Sequence, residues 1–360
     1  MGKQLKSNSL IAFSDFLDKI AQAYQQNLPF VAYREPNVTK LTAFFQENDT
    51  LHLAHDFESK GFVFAPFDTK DAIVLIPDTH ELQTEFEAQA VDSASRAIPF
   101  PETAASKETH INLVDEAKTF LIENALPKVV IARSKTIPVA HFDLLQTFYR
   151  LLAKYTAATV YVWYHPKVGL WMGATPEMLV TLVGQHFKTM SLAGTQVYQG
   201  DMEVSWRSKE REEQQLVTDY VVSKLKDKTL QLQAGKPYTV KAGTLLHLRT
   251  DIQGELSKDM DLKSLLNTVH PTPAVCGYPT DKAKAFIFEK EQFDRSFYTG
   301  YFGRLHPTEK TTLYVNLRCM QILSNDKARI YVGGGITQKS KPQLEWEETV
   351  AKCNTMQDVF

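Results

Sequence analysis

The most constraining feature of the chain is a succession of short runs, rich in β-branched and aromatic residues, with only a turn between one run and the next. Four such runs occupy about 158–164, 169–174, 178–183 and 186–190, and Gly184 lies in the last turn. Runs of this length separated by turns are typical of antiparallel hairpins. Further runs lie near 243–252, 298–305, 311–323 and 327–337.

Amphipathic segments separate these groups of strands. In INLVDEAKTFLIENAL, apolar residues from Ile111 to Leu121 share one helical face, and Pro127 ends the helix before the strand KVVIAR. Groups of strands with helices inserted between them predict an α/β fold of the α+β or mixed layered kind, not a regular βαβ alternation. The other expected helices cover about 12–25, 139–154, 205–226, 259–268, 281–292 and 342–356.

The first hundred residues carry a helix and strand-like runs at 30–35, 61–67 and 72–77, but no motif with recognisable chemistry. Residues 79–110 are polar and show little periodicity, which predicts a long connector or an exposed excursion. This segment is the best candidate boundary in the chain.

Composition narrows the class of protein. The 360 residues include 40 Lys plus Arg and 42 Asp plus Glu, a formal net charge of −2, which excludes a nucleic-acid binder that works by basic charge. The apolar runs are too short to cross a bilayer, and the start lacks the apolar core of a secretory signal. Cys276, Cys319 and Cys353 form no CxxC pair, so neither disulfides nor zinc are indicated. We expect a soluble, cytoplasmic protein without a membrane partner.

The helix at 205–226 carries a charge run that would ordinarily be a solvated face. Its apolar stripe includes Val217 and Tyr220, and steps of three or four residues backwards along that stripe reach Glu213 and Glu210. Glu212 lies roughly 120° from the centre of the stripe, at about 100° per residue. Two carboxylates one turn apart are therefore predicted to point inward, where they need a cation or dense hydrogen bonding.

A second pair of carboxylates, Glu345 and Glu348, lies in LEWEETVAKC. Trp346 belongs to the apolar face, and the pattern favours a solvated face on which Glu348 pairs with Lys352 four residues on. Together, however, the two pairs would form an oxygen-rich site suited to Mg²⁺.

Two single residues stand at places where acid or base groups are common. Glu177 follows Pro176 in GATPEMLV and is held where a strand begins. Lys128 opens the strand KVVIAR, and an enclosed lysine has a lowered pKa that makes it a usable base. Each also has an ordinary interpretation, a solvated glutamate or a lysine that reaches solvent.

Two further features suggest anion binding. Strict alternation in TLYVNLRCMQI predicts Arg318 in mid-strand on the face of Tyr314, Asn316 and Met320, either as a fork for a carboxylate or in a cross-strand ion pair. IYVGGGIT places three consecutive glycines after a strand, where free backbone N–H groups suit an anion. The pattern is not GxGxxG, so a nucleotide site is not supported.

Taken together, these segments resemble the chorismate-utilising enzymes, and among them the isochorismate synthases. The resemblance covers about residues 120–356. It rests on segments that occur in the family's order: KVVIAR, GATPEMLV, SLAGT, SKEREEQQLV, LLHLRTDIQGEL, HPTPAVCGYP, EQFDRSFYTGYFG, LYVNLRCMQI, IYVGGGIT and EWEETVAKCNTM.

The resemblance implies a single large domain in which two antiparallel β-sheets pack as a sandwich with helices outside. Residues 1–110 would be the less similar portion of the same fold, and residues 111–360 the chorismate-binding catalytic portion. The enzyme is expected to be a cytoplasmic monomer whose partner is the small molecule chorismate, whose cofactor is Mg²⁺, and whose product feeds menaquinone or siderophore biosynthesis.

The resemblance also implies roles for individual residues. Lys128 would be the base that activates water for attack at C2 of chorismate, and Glu177 the acid that protonates the departing C4 hydroxyl. The implied magnesium ligands are Glu213 and Glu348, supported by Glu210 and Glu345. The implied substrate contacts are Ala193, Gly194, Thr195, His247, Ala274, Tyr298, Arg318, Tyr331, Gly333 and Lys352.

Few residues decide the choice within the family. Anthranilate synthases resemble this chain but have Gln in place of Lys128, and aminodeoxychorismate synthases have Lys in place of Ala193. A salicylate synthase, which goes on to eliminate pyruvate, remains an alternative, although HPTPAVCG with Ala274 is closer to the isochorismate synthases. A catalytically silent binding module of the same fold is the alternative from another class. The chain departs from the family's pattern at Gln196, Gln214 and Cys276.

Overall fold

The computed structural model describes residues 10–87, 100–242 and 245–360. The helices are α1 (Phe13–Gln25), α2 (Ala104–Glu123), α3 (Leu144–Lys154), α4 (Ser208–Leu225), α5 (Leu262–Val269), α6 (Thr280–Lys290) and α7 (Pro342–Gln357). The strands are β1 (Phe30–Arg34), β2 (Lys40–Phe45), β3 (His52–Leu53), β4 (Gly61–Ala65), β5 (Val74–Pro77), β6 (His80–Glu85), β7 (Lys128–Pro138), β8 (Thr159–His165), β9 (Gly169–Thr175), β10 (Met178–Val183), β11 (His186–Val197), β12 (Thr229–Ala234), β13 (Tyr238–Ala242), β14 (Leu245–Leu256), β15 (Gly277–Tyr278), β16 (Tyr301–Leu305), β17 (Lys310–Val315), β18 (Cys319–Ser324) and β19 (Lys327–Ile336).

These strands form two antiparallel sheets. The nine-stranded sheet has the order β15-β7-β19-β18-β9-β8-β1-β2-β6. The ten-stranded sheet has the order β12-β14-β11-β10-β17-β16-β4-β5-β3, and β13 also pairs with β14. The predicted α/β fold with two antiparallel sheets and helices is therefore confirmed.

Aromatic side chains join the two sheets face to face. Phe64 of the ten-stranded sheet stacks on Trp163 of the nine-stranded sheet, with ring centroids 4.7 Å apart, and on Phe297 at 4.3 Å. The outer faces are covered by helices, α1 and α3 over the nine-stranded sheet and α4 and α5 over the ten-stranded sheet. The layers are helix, sheet, sheet and helix, and the aromatic core lies between the sheets.

The prediction of a connector at 79–110 is wrong at both ends of that segment, where a strand and a helix lie instead. Residues 80–85 form the strand β6, which pairs with β2 at the edge of the nine-stranded sheet, where polar side chains are tolerated. At the other end α2 begins at Ala104, and the side chain of Thr103 caps it by accepting a hydrogen bond from the Ser106 N–H at 3.1 Å. Residues 88–99 of that segment lie outside the described residues.

Strands from the N-terminal portion belong to both sheets. Strands β1, β2 and β6 enter the nine-stranded sheet, while β3, β4 and β5 enter the ten-stranded sheet. The division between residues 110 and 111 falls inside α2. In the described residues no helix combines the length and the apolar character needed to cross a bilayer.

The predicted strand at 311–323 is two strands in two different sheets. Strand β17 ends at Val315 in the ten-stranded sheet, and β18 begins at Cys319 in the nine-stranded sheet. Between them Asn316 is fully buried and Arg318 has a φ of +45°, so the alternation of side chains is broken. The prediction that Arg318 lies in mid-strand beside Tyr314, Asn316 and Met320 is therefore wrong.

Other boundaries differ by a few residues. The helix predicted from residue 139 begins at Leu144, because Asp143 caps it with a hydrogen bond from the Gln146 N–H at 2.9 Å. The strand predicted at 186–190 continues to Val197, and the edge strands β12 and β13 were not predicted. The three cysteines are buried free thiols.

The aromatic contact between the sheets gives a prediction about stability. Phe64 is fully buried, so Phe64→Ala should lower the free energy of unfolding by about 3–5 kcal/mol, because it leaves a cavity between the sheets. Urea denaturation measures the difference. Phe288→Ala is the control, since Phe288 is 53% exposed, and it should change the free energy by less than about 1 kcal/mol. Equal effects of the two substitutions would contradict this account of the core.

Candidate active site

A buried cavity lies where the strands β7, β11, β14 and β19 approach the helices α4 and α7. Of the sequence-predicted site residues, only Glu210 and Glu345 are absent from its wall. The others all line it: Lys128, Glu177, Ala193, Gly194, Thr195, Glu213, His247, Ala274, Tyr298, Arg318, Tyr331, Gly333, Glu348 and Lys352.

Lys128 is the first residue of β7 and is buried. It pairs with Tyr278 of β15 on one side, while its side chain passes Gly335 of the neighbouring strand β19. Burial lowers the pKa of the Lys128 ammonium, and Glu213 opposes this shift only in part. The alternative of a lysine that reaches solvent is excluded by its burial.

Glu177 stands in the sharp connection between β9 and β10 and is also buried. Its backbone is fixed there because the Glu177 carbonyl accepts a hydrogen bond from the Val315 N–H at 2.9 Å. Burial raises the pKa of the Glu177 carboxyl to about 8, although Lys128 and Arg318 act in the opposite direction. A neutral glutamic acid therefore faces the same cavity as a lysine with a lowered pKa.

Arg318 and His247 belong to one chain of hydrogen bonds, which also fixes the tautomer of His247. The Nδ1 atom of His247 lies 2.8 Å from the Gly194 carbonyl oxygen, and its Nε2 lies 3.2 Å from Nη2 of Arg318. Because the carbonyl only accepts and the guanidinium only donates, Nδ1 carries the proton and Nε2 accepts. Burial lowers the pKa of His247 to about 3, which keeps the ring neutral. Because His247 is neutral, it forms no ion pair with Arg318, and the guanidinium keeps its positive charge at the cavity wall.

Irregular backbone brings α4 close to the cavity. The register of β11 against β14 shifts between Ala193 and Gln196, which marks a bulge, and Gly194 within it has a φ of +73°. A Cβ atom at Gly194 would lie 2.9 Å from the Cβ atom of Glu210. Gly194 is therefore needed both for its backbone angle and for the close approach of the first turn of α4.

The glutamates of α4 point as predicted. Glu210 is buried and the Glu213 side chain is 11% exposed, whereas Glu212 is 62% exposed. This confirms the inward direction of two carboxylates one turn apart.

The solvated face predicted for Glu345 and Glu348 is wrong. Glu345 is buried and the side chain of Glu348 is 26% exposed, because α7 packs against α2 on one side and against β19 on the other. The polar face of α7 lies over Gly334, which offers no side chain to displace the carboxylates. A Cβ atom at Gly334 would lie 3.7 Å from Oε1 of Glu348 and 3.9 Å from Oε2 of Glu345.

Basic side chains neutralise most of these carboxylates. Lys352 Nζ lies 2.7 Å from Oε1 of Glu348, and burial, which raises the pKa of Glu348, is outweighed by this lysine, so that the pKa is lowered overall. Lys209 Nζ lies 2.6 Å from Oε1 of Glu345. Arg207 contacts both carboxylate oxygens of Glu210.

Glu213 has a basic neighbour, Lys209, whose Nζ lies 3.9 Å from Oε1 of Glu213, beyond hydrogen-bond distance. Its Oε1 atom is buried and has no hydrogen-bond partner in the part of the chain that the structure describes, and burial raises its pKa. The described side chains do not stand as a preassembled group of three or more metal ligands. An unsatisfied carboxylate oxygen beside further carboxylates nevertheless fits a hard cation such as Mg²⁺, which takes oxygen ligands.

The sequence did not reveal the apolar walls of the cavity or the contact between Lys209 and Glu345. Val130 could have been found, since it lies two residues after Lys128 on the same face of the strand. Thr299 and Leu317 fell inside the strands predicted at 298–305 and 311–323, but the structure places both residues in irregular segments, before β16 and before β18. The lining residues that were missed are Val130, Pro176, Leu192, Val275, Thr299, Leu317 and Val332.

Comparison with known proteins shows the family to which the chain belongs. The family model described as chorismate binding enzyme matches residues 17–360, and the chain belongs to this family.

Its relatives narrow the class further. Isochorismate synthase DhbC of Bacillus subtilis (strain 168) is 32% identical over 321 residues, which cover 81% of this chain and 78% of the relative. Isochorismate synthase EntC of Escherichia coli (strain K12) is 29% identical over 313 residues, covering 82% and 79%. Among solved structures, the putative 2,3-dihydroxybenzoate-specific isochorismate synthase DhbC from Bacillus anthracis superposes with a TM-score of 0.81 at 24% identity, over 95% of this chain and 99% of that one.

Proposed function

We propose that this protein is an isochorismate synthase, which converts chorismate to isochorismate with the help of Mg²⁺ and supplies menaquinone or siderophore biosynthesis. The observation that carries the proposal is the pairing of Lys128 and Glu177 in one buried cavity with pKa values shifted in opposite directions. These opposite shifts favour the neutral form of each group, an amine that can accept a proton and a carboxylic acid that can donate one.

The two groups suit a hydroxyl transposition. Lys128, as a free amine, takes a proton from water while the water oxygen bonds to C2 of the ring. Glu177 gives its proton to the C4 hydroxyl, which departs as water while the ring double bonds shift. One water enters and one leaves, so the reaction is an isomerisation without redox change.

The cavity also offers groups for the two carboxylates of the substrate. Glu213 and Glu348 would hold Mg²⁺, supported by Glu210 and Glu345, and the bound ion would supply positive charge for the ring carboxylate. Arg318 would receive the enolpyruvyl carboxylate as a planar fork. Tyr331 and Gly333 also line the cavity, and the Lys352 ammonium donates a hydrogen bond to the Gly333 carbonyl at 2.9 Å.

The lysine at position 128 and the alanine at position 193 favour water as the nucleophile. Three buried free thiols agree with a reducing compartment such as the cytoplasm. The monomeric state stays a prediction.

The first test is product analysis. Purified protein, chorismate and Mg²⁺ should yield isochorismate, and Lys128→Ala and Glu177→Gln should each lower kcat about 10²–10⁴-fold, because each removes a proton-transfer group. Glu212→Gln, an exposed neighbour of the site, is the control and should keep normal turnover. Salicylate with pyruvate would identify a salicylate synthase instead, and no turnover would indicate a silent binding module.

The pH profile tests the role of Glu177. An acid must be protonated to act, so kcat/KM should fall as the pH rises through about 8, where the Glu177 carboxyl loses its proton. On the acid side the rate should rise as Lys128 loses its proton, below the ordinary pKa of lysine. Circular dichroism at each pH checks that the fold is intact. A rate that stays constant from pH 7 to about 9.5 would contradict the assignment.

Gly335 gives a test of the position of Lys128. A Cβ atom at Gly335 would lie 2.6 Å from Cε of Lys128 and 3.1 Å from its Nζ, so Gly335→Ala should displace the amine without blocking the backbone. We expect kcat to fall about tenfold or more at an unchanged melting temperature, since a misplaced group loses much of its effect. Gly235→Ala is the control. Gly235 lies in the loop between β12 and β13, and its added Cβ atom would come no closer than 3.5 Å to the Asp251 carbonyl oxygen. Equal kcat values for the two variants would show that the passage beside Gly335 is not needed.

A further inference from the structure

Lys209 is the basic residue that joins the two carboxylate-bearing helices. It lies in the first turn of α4, and its Nζ atom is 2.6 Å from Oε1 of Glu345 on α7 and 3.9 Å from Oε1 of Glu213 on its own helix. Its side chain is 28% exposed, while that of Glu345 is 4% exposed. Lys209 and Glu345 therefore form an ion pair in which the carboxylate is buried and the ammonium is still partly exposed to water.

The lysine stands on the outer side of the carboxylates. Glu213 and Glu348 line both the substrate cavity and a second, outer cavity of about 740 Å³. Lys209, Glu210 and Glu345 line only the outer one. The ammonium of Lys209 thus contacts the carboxylates from the side opposite to the place where the substrate would lie.

The carboxylates need such a charge whenever no metal ion is bound. Carboxylates brought together from two helices repel one another, and a buried carboxylate without a counter-charge is strongly destabilising. A lysine suits this task because it carries a compact charge on a flexible stem and can move away. A divalent ion at the same oxygens would repel the ammonium, so the two cations exclude each other.

We propose that Lys209 is a positioning residue that acts as a tethered counter-cation, holding Glu345 and Glu213 together in the metal-free protein and being displaced from Glu345 by Mg²⁺. This inference rests on the proposed function, which places Mg²⁺ among the same glutamates. It adds that the protein's own side chain competes with the metal and thereby sets the magnesium affinity.

The test is Lys209→Met, which keeps the stem and removes the charge. Calorimetric titration of the protein with MgCl₂ should give a dissociation constant roughly tenfold lower than that of the unchanged protein, since a charged hydrogen bond no longer has to be broken. In EDTA the melting temperature should fall, because Glu345 loses its partner. The rise in melting temperature on adding MgCl₂ should be larger than in the unchanged protein.

The chain offers a matched control lysine whose partner, Glu212, lies on the same helix as Lys209. Lys339 pairs with Glu212 at 3.3 Å, but both side chains are largely exposed, at 71% and 62%. Lys339→Met removes the same charge near the outer cavity and should leave the magnesium affinity within about twofold of normal. Lys209→Gln, which keeps a neutral donor for Glu345, serves if the methionine variant does not fold, and it should also bind MgCl₂ more tightly.

The outcomes separate this inference from the function. Unchanged or weaker MgCl₂ binding in both Lys209 variants, with normal binding in the unchanged protein, would overturn the competition and leave the magnesium site intact. Equal tightening by Lys339→Met would show a general charge effect and would also overturn it. If MgCl₂ neither bound to the unchanged protein nor raised its melting temperature, the magnesium assignment would fail, and this inference with it.

Discussion

The site depends on three consecutive glycines of strand β19, which face two helices and a lysine. Strand β19 pairs with β7 through Gly333, Gly334 and Gly335, opposite Ala132, Ile131 and Val130. A Cβ atom at Gly335 would lie 2.6 Å from Cε of Lys128, and a Cβ atom at Gly334 would already be in contact with the carboxylates of α7. The glycines therefore act by leaving room, which lets charged groups from three elements meet over regular, fully paired backbone.

Enclosure then determines the chemistry of these groups. A charge transferred from water into the protein interior is disfavoured, so burial pushes a lysine and a glutamic acid toward their neutral forms. Lys128 and Glu177 show the two directions of this one effect. Glu348 on α7 shows the opposite result, because the adjacent Lys352 outweighs the effect of burial and lowers the pKa of the Glu348 carboxyl. The presence of a close counter-charge thus distinguishes Glu348 from Glu177.

The sequence allowed prediction of the site where one repeating geometry holds. The stripe of α4 predicted which glutamates point inward, since a helix has one period along its length. The prediction for α7 was wrong because it assumed one buried face, whereas this helix is covered on two sides, by α2 and by β19. The prediction for Arg318 was wrong because alternation holds within a strand, and the chain changes sheets at Asn316. Both errors arise from tertiary contacts, which a local pattern does not encode. The roles expected for individual residues rest on the resemblance to a family, and of these residues all but Glu210 and Glu345 line one cavity.

The irregular points of the fold are also the points that supply the site. Glu177 follows the turn between β9 and β10, Gly194 lies in the bulge of β11, and Arg318 has a positive φ where the chain passes from one sheet to the other. Left-handed backbone at a residue other than glycine costs about 1–3 kcal/mol and persists only where the surroundings fix it. At Arg318 the surroundings include Asn316, whose amide oxygen accepts from the Tyr161 hydroxyl at 2.7 Å and whose Nδ2 donates to the Phe297 carbonyl at 2.9 Å. Phe297 and Tyr161 belong to the aromatic core between the sheets. The packing that joins the two sheets therefore also holds the strained arginine at the cavity wall, so that the stability of the core and the position of Arg318 are linked through one buried asparagine.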